Sequence, residues 1–248
     1  MSLLLNCDLG EIEDPQQHIE RTVMPLIDMA NIACGFHAGS PMTMRNTLNL
    51  AKTHQVTIGA HPGYGDRTNF GRMSIPHSHN ELVALLHYQI SALAGMAKSQ
   101  ELALSYVKPH GALYHDMMNN ADIRRAVLAA LAECDGGLSL MMLATGEADR
   151  HRKEAKALGI DIIFEAFADR AYDDTGRLVD RRQSGAVHDH SRMLDQARQL
   201  IESGTVTTIS GKRLPIAADS LCVHGDNPAG VAVIAELRSI VNLHHRHA

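Results

Sequence analysis

A chain of 248 residues, 45% of them hydrophobic, only 4% aromatic and none tryptophan, has an aliphatic core to bury and suits a single α/β domain over 1–248. Its formal charge of −5 at pH 7 excludes a basic face built to track phosphate backbones, so no nucleic-acid partner is expected. No run reaches the roughly 18 apolar residues of a membrane span, MSLLLNCDLG has no basic leader region, and the four cysteines show no CxxC spacing; a reduced, cytoplasmic protein with no membrane contact is expected.

Apolar runs and helical patterns alternate along the chain. The first strand is predicted over 3–7, followed by a helix in DPQQHIERTVMPLI, with Asp14 as cap and Pro15 at the first helical position. A second strand over 29–34 leads to SPMTMRNTLNLAKTHQV, whose apolar face is read as Met42, Thr43 and Leu50. After a third strand over 56–61, residues 78–100 give the clearest helix. There Leu82, Leu85, Leu86, Ile90, Leu93 and Met96 keep a three-to-four spacing. Strands over 104–108, 138–143, 161–167 and 220–224 follow, with helices in NADIRRAVLAALAEC, GEADRHRKEAKALG, HDHSRMLDQARQLIESG and NPAGVAVIAELRSIVNLHHRH.

Strand–helix alternation implies a parallel sheet with helical crossovers, and strands buried on both faces explain the continuous apolar runs. A closed barrel and an open doubly wound sheet both satisfy this pattern.

Ionisable groups gather where these strands end. Asn6 and Asp8, with Glu11 just after, close the first strand; His37 follows the second, His61 ends the third, and Lys108 and His110 end the fourth. Glu165, Asp169 and Arg170 lie at the sixth end, and His224 and Asp226 at the seventh. The carboxyl ends of barrel strands are where chemistry sits in β/α barrels. Side chains alternate between faces along a strand, so Asn6 shares a face with Asp8, Lys108 with His110, and Cys222 with His224. Asp8, His61, Lys108, His110 and His224 are therefore the candidate catalytic groups. A lysine in an apolar strand needs a partner or a ligand to offset its desolvation.

Plainer readings stand beside these. Asp8 also suits a turn cap, Glu165 a salt bridge with Arg170, His188 and His190 the start of a helix, and HHRHA a solvated tail. The segment FADRAYDDTGRLVDRRQSGAVHD carries Arg170, Arg177, Arg181 and Arg182 and reads either as a salt-bridged excursion or as a lid gripping a carboxylate or phosphate. No GxxxxGK[ST] loop is present; GTVTTISGKR has the wrong spacing, with Arg213 where a hydroxyl is needed.

LNCDLGE, NIACGFHAGSP, GAHPGYGDRTNFGR, VKPHGALYH, EAFADRAYDDTGRLVDRR and LCVHGDNP together resemble the LamB/YcsF family, the A subunits of bacterial 5-oxoprolinases, from the first strand to the last. The resemblance implies a seven-stranded parallel β/α barrel, TIM-like and related to polysaccharide deacetylases. It also implies opening of the 5-oxoproline (pyroglutamate) lactam to L-glutamate, coupled to hydrolysis of ATP with Mg2+ and carried out with B and C subunits. Under that reading Asp8, His61, Lys108, His110 and His224 are catalytic, and Asn6, Glu11, Glu165, Asp169, Arg170 and Asp226 bind substrate. The chain departs from the family pattern at Ser40 (usually Asp), Gly65 (Pro), Asn69 (Gly), Met73 (Arg) and His115 (Asn).

Two alternatives stay open at this level. One is a stand-alone metal-dependent deacetylase or amidohydrolase, with a divalent ion held directly by Asp8, His37 and His61. The other is a non-catalytic subunit that binds the lactam for its partners. Self-association into a homo-oligomer is compatible with each.

Overall fold

Seven parallel strands close on themselves into a barrel. The computed structural model describes residues 3–14, 16, 18–224 and 228–245, with side chains at all of these except 224, 228–230 and 243–245. In chain order the elements are β1 (Leu4–Leu9), α1 (His18–Val23), a 3-10 turn (Met24–Leu26), β2 (Met29–Ala33), α2 (Pro41–His54), β3 (Thr57–His61) and α3 (His79–Lys98). Then come β4 (Tyr106–Val107), α4 (Gly111–Asn119), α5 (Ala121–Ala132), β5 (Ser139–Leu143), α6 (Ala148–Lys156) and β6 (Ile162–Phe167). The chain continues through α7 (His190–Ser203), β7 (Thr205–Thr207), β8 (Arg213–Pro215), β9 (Ser220–His224) and α8 (Pro228–His245). The barrel order is β1-β2-β3-β4-β5-β6-β9, with β9 paired to both β6 and β1. Closure decides against the open sheet, and no strand of the barrel is left with a bare edge.

Period-two alternation gives each strand two fates. One set, including Leu5, Cys7, Ala30, Ile32, Ile58, Val107, Leu140, Phe164 and Leu221, belongs to the large apolar cluster shared with helix residues such as Leu48, Leu86, Val127 and Leu237. A separate small cluster of Met29, Tyr106 and Met141, with Ile163 packed on it, plugs the barrel interior toward the strands' starts. Gly59 makes the room: a Cβ there would lie 2.2 Å from Cε2 of Tyr106. Above this plug the interior turns polar.

Several expectations change. The first helix begins at His18, and the Asp14 carboxylate accepts from the backbone N–H of His18 at 2.9 Å, so the cap acts without the early start; Pro15 lies outside the described residues. On α2 the buried face is Thr43, Met44, Thr47, Leu48 and Ala51, with Leu50 partly buried against the core as expected; Met42 is 62% exposed, because α2 starts at Pro41 and Met42 falls on its solvent side. Ser40 caps α2, its hydroxyl accepting from the Thr43 N–H at 3.2 Å. Residues after His110 form α4, a helix for which no segment is assigned from the sequence. GTVTTISGKR folds into the antiparallel β7–β8 hairpin, which needs its Ser-Gly turn and has no phosphate-cradling helix behind it. His190 opens α7 with Asp189 as cap, and His188 pairs its Nε2 with Gln196 at 3.2 Å. Of HHRHA, His244 and His245 extend α8 and 246–248 lie outside the described residues.

Candidate active site at the barrel mouth

The register of the closed barrel sets which strand ends meet. Asp8 lies opposite Asn31 on β2 and His224 on β9; Asn6 lies opposite Met29 and Cys222. These pairs put Asp8 and Asn6 on one inward-facing column, as their shared parity predicts.

Lys108 is the hub of the lower layer. Its Nζ donates to Asp8 Oδ1 at 2.9 Å and lies 3.1 Å from Glu165 Oε2, 3.4 Å from Asn6 Oδ1 and 3.1 Å from Cys222 Sγ. Asn31 Nδ2 donates to Asp8 Oδ1 at 2.7 Å and to Asn6 Oδ1 at 2.8 Å, and the Tyr106 hydroxyl donates to Asn31 Oδ1 at 2.7 Å. Asn6 Nδ2 closes the ring on Ser220 Oγ at 2.7 Å and Glu165 Oε2 at 3.3 Å. Burial alone would pull the Lys108 ammonium down; the Asp8 carboxylate, Cys222 and Glu165 more than offset it and hold the lysine charged. Glu165 therefore pairs with Lys108 deep in the barrel and not with Arg170. Its side chain points inward from β6, while Arg170 lies beyond the strand's end.

The upper layer is a histidine–carboxylate centre. His37 Nε2 lies 3.1 Å from Glu11 Oε1, His110 Nδ1 lies 3.2 Å from the same oxygen, and His61 Nε2 lies 3.8 Å from it. His61 Nε2 is also 2.9 Å from His110 Nδ1 and 3.5 Å from Asp8 Oδ2, which joins the two layers. The rings of His37 and His110 stack at 3.7 Å and 4°. All four of Glu11, His37, His61 and His110 are buried, with one ligand atom from each lying within 4.8 Å of the others.

The electrostatics follow from burial set against these contacts. Burial pushes the Glu11 carboxyl up, but hydrogen bonds from His110 and His37 outweigh it and hold Glu11 well below the usual carboxylate range. Burial pushes His37 down to about 3, so at neutral pH its contact with Glu11 is a hydrogen bond to an anion and not an ion pair. His61 also suffers burial, yet Asp8 and Glu11 beside it raise it above the ordinary histidine value.

Two backbone features hold the centre. His61 Nδ1–H donates to the Lys108 carbonyl at 2.7 Å, and His110 Nε2–H donates to the Phe70 carbonyl at 2.8 Å. Phe70 sits at φ 56, an uncommon conformation for a bulky residue, and this aims its carbonyl at His110. Gly71, at φ +64, follows it; a Cβ there would stand 2.7 Å from His37 Cβ and 2.9 Å from His110 Cδ2.

Of the residues singled out from sequence, Asn6, Asp8, Glu11, His37, His61, Lys108, His110 and Glu165 meet here. The expected Asp8–His37–His61 trio is not what converges most tightly. Asp8 Oδ1 is engaged by Lys108 and Asn31, and Glu11 and His110 complete the cluster with His37 and His61. Asp169 and Arg170 are buried just past β6, where Arg170 Nη2 donates to the Val179 carbonyl at 2.6 Å and braces the excursion that follows. Arg177 faces Glu147 and Arg182 pairs with Asp180, both at the surface. The His224 side chain and Asp226 lie outside the described residues. Asn31, Tyr106, Ser220 and Phe70 were missed. Asn31 and Ser220 were legible as polar residues in apolar strands, and Tyr106 as the parity partner of Lys108; nothing local marks Phe70. A surface groove of about 670 Å³ lined by Tyr64, His77, Asp116 and Arg125 contains none of the clustered residues.

Fold and site together define a seven-stranded β/α-barrel protein with a buried histidine–carboxylate centre at the carboxyl ends of its strands. The family model for the LamB/YcsF family matches residues 3–247, and the chain belongs to that family. It is 47% identical over 242 residues to a protein of Pseudomonas fluorescens (strain Pf0-1) named as the A subunit of 5-oxoprolinase, covering 97% of each chain. It is 48% identical to one of the Pseudomonas putida proteins named as 5-oxoprolinase A subunits, covering 97% of this chain and 94% of that one. The crystal structure of a lactam utilization protein from Thermus thermophilus superposes with a TM-score of 0.88 at 36% identity, covering 98% of this chain and 97% of that one.

Proposed function

We propose that this chain is the A subunit of a 5-oxoprolinase, acting with B and C subunits to convert 5-oxoproline to L-glutamate coupled to ATP hydrolysis. The observation that carries this reading is likeness over nearly the full length of both chains to relatives of that name.

A lactam carbonyl is a weak electrophile with a poor leaving group. Phosphoryl transfer from ATP to the amide oxygen activates it, and water then adds to the carbon. The C–N bond breaks as the ring nitrogen takes a proton, leaving an acyl phosphate that a second water hydrolyses to L-glutamate and phosphate. This chemistry needs a base for water and an acid for nitrogen. Asp8 Oδ2 and His61 Nε2, 3.5 Å apart with His110 beside them, are the groups proposed to move those protons. Lys108 keeps Asp8 ionised, and Asn6 and Glu165 complete that support from below. Substrate contacts fall to Glu11, Asp169, Arg170 and Asp226, with His224 a further candidate catalytic group. Phe70 packs edge-on against both His37 and His110, and Gly71 leaves no room for a Cβ beside them.

In the described network the carboxylates of Asp8, Glu11 and Glu165 face one ammonium. Such a site is a poor seat for a triphosphate, and MgATP is proposed to be held largely by the partner subunits. The test is an assay of the purified chain with 5-oxoproline and ATP, with and without the B and C proteins. Glutamate formed only by the three together supports the reading; B and C forming it equally well without this chain refutes it. A second reading, ATP-independent amide hydrolysis by the chain alone, is favoured by the four converging donors. EDTA-sensitive release of acetate from an N-acetyl sugar would support that instead.

A further inference from the structure

We propose that Arg67 is a positioning residue for the histidine–carboxylate centre: its guanidinium holds the loop that carries His37, so that this imidazole stays beside Glu11 and against His110. The role rests on the 5-oxoprolinase reading only where turnover is the readout.

His37 differs from its two neighbours in having no anchor of its own. His61 donates its Nδ1–H to the Lys108 carbonyl at 2.7 Å, and His110 donates its Nε2–H to the Phe70 carbonyl at 2.8 Å. The far nitrogen of His37, Nδ1, has no hydrogen-bond partner, although the side chain is fully buried. Its ring meets Glu11 through Nε2 at 3.1 Å, stacks on His110 at 3.7 Å and touches His61 and Phe70 edge-on. What keeps it in register with those groups is the backbone it hangs from. That backbone is the loop GFHAG, and the glycines flanking His37 both sit at positive φ, Gly35 at 85° and Gly39 at 78°. Glycine adopts such angles without steric cost and leaves them as readily, so this loop has to be held from outside.

Arg67 supplies the hold. Its Nη1 donates to the Gly35 carbonyl at 3.1 Å and its Nη2 to the Gly39 carbonyl at 2.6 Å, on either side of His37. Nη2 also donates to Glu13 Oε1 at 2.5 Å, just past Glu11 on the loop after β1. One guanidinium thus ties together the loops that follow β1, β2 and β3. A planar fork with two terminal nitrogens suits acceptors set in different directions; a lysine brings a single nitrogen and does not replace it. The fork is itself projected from a fixed turn. Asp66 Oδ1 accepts from the Asn69 backbone N–H at 3.2 Å and from Asn69 Nδ2 at 2.8 Å, and the Asp66 carbonyl accepts from the Gly71 N–H at 2.7 Å. The same turn presents the Phe70 carbonyl to His110. It therefore aims His110 directly and His37 through Arg67.

The Arg67 side chain is 52% exposed, and exposed ion pairs add little to stability. Its loss should show at the centre and hardly at all in the melting temperature, which separates positioning from a merely structural role.

The test uses the full chain with Arg67→Lys and Arg67→Met, and Lys52→Met as a control that breaks a comparable exposed pair with Glu101. NMR spectra of the 15N-labelled histidine rings report on His37, whose signals are identified by their absence in His37→Gln. In both Arg67 variants the His37 ring signals should shift or broaden; in Lys52→Met they should stay where they are. Tm should fall by no more than about 4 °C in all three. Assayed with the B and C proteins, both Arg67 variants should lose about 10–100-fold in kcat, since a displacement of about 1 Å near a reacting centre costs that much. Unchanged His37 signals in a folded Arg67→Met chain, or parental turnover in it, would overturn the proposal, and so would full recovery in Arg67→Lys, which needs charge and no fork. If the parent chain forms no glutamate with B and C, the 5-oxoprolinase reading fails by itself, and the ring spectra still decide the role of Arg67.

Discussion

Replacing Lys108 with Met removes one ammonium and keeps a side chain of similar length, so the change isolates charge. Lys108 Nζ lies 2.9 Å from Asp8 Oδ1 and 3.1 Å from Glu165 Oε2, and no member of the trio is more than 5% exposed. Removing one partner of a buried ion pair costs about 3–5 kcal/mol, because the other charge stays buried without compensation. Here two carboxylates lose their cation at once. Asp8 keeps the Asn31 amide at 2.7 Å, and Glu165 keeps the Asn6 amide at 3.3 Å, which is the weaker substitute. The upper end of that range is therefore expected, about 4–5 kcal/mol. For a chain of this length each kcal/mol moves Tm by about 2–4 °C, so the variant should melt about 10–20 °C lower. Thermal unfolding followed by circular dichroism at neutral pH measures this directly. Adding Glu165→Gln to Lys108→Met should recover about 1–3 kcal/mol, because the orphaned charge is gone. A Tm within about 2 °C of the parent chain would refute the buried charge network. Assayed below its melting temperature with the partner subunits, the variant should release no glutamate; near-normal turnover would take Lys108 out of the proposed mechanism.

Gly71→Ala forces a Cβ to 2.7 Å from His37 Cβ at a φ of +64, so a loss of about 1–3 kcal/mol and a parallel loss of activity are expected by melting and turnover assays. Gly95→Ala, on an exposed turn of α3 with nothing within 4 Å of the new Cβ, should instead gain about 0.5–1 kcal/mol. Gly59→Ala collides with the Tyr106 ring at 2.2 Å; urea denaturation should show a loss of at least about 1–3 kcal/mol, reduced by adding Tyr106→Leu. The buried Arg124 binds Glu154 at 2.7 Å, and this hydrogen bond, against a smaller opposing effect of burial, lowers the Glu154 pKa below 4.5. A carboxylate with a lowered folded pKa contributes stability above its unfolded value and loses it as pH falls through the folded one. Glu154→Gln should therefore cost about 1–2 kcal/mol at pH 7, and the two stability curves should converge as pH falls below about 4.5.

The sequence by itself determined which segments become strands and which face each strand residue takes. Seven apolar runs became the seven barrel strands, and the shared parity of Asn6 with Asp8 put both into one inward column. Alternation is a property of extended backbone, so it is written locally. It also pointed to strand ends as the place where Asp8, His61, Lys108 and His110 assemble. Only the tertiary structure decided the level at which each group sits and whom it meets. Barrel closure set Asp8 against His224, 216 positions away, and Glu165 against Ser220. It sent Glu165 to Lys108 in the interior, turned Arg170 toward the Val179 carbonyl, and put Glu11 among three histidines. Phe70 acts through its carbonyl, whose direction comes from a backbone conformation and not from the side chain. Stagger between strands, loop path and carbonyl direction depend on how the whole sheet rolls up, and no window of the sequence contains them.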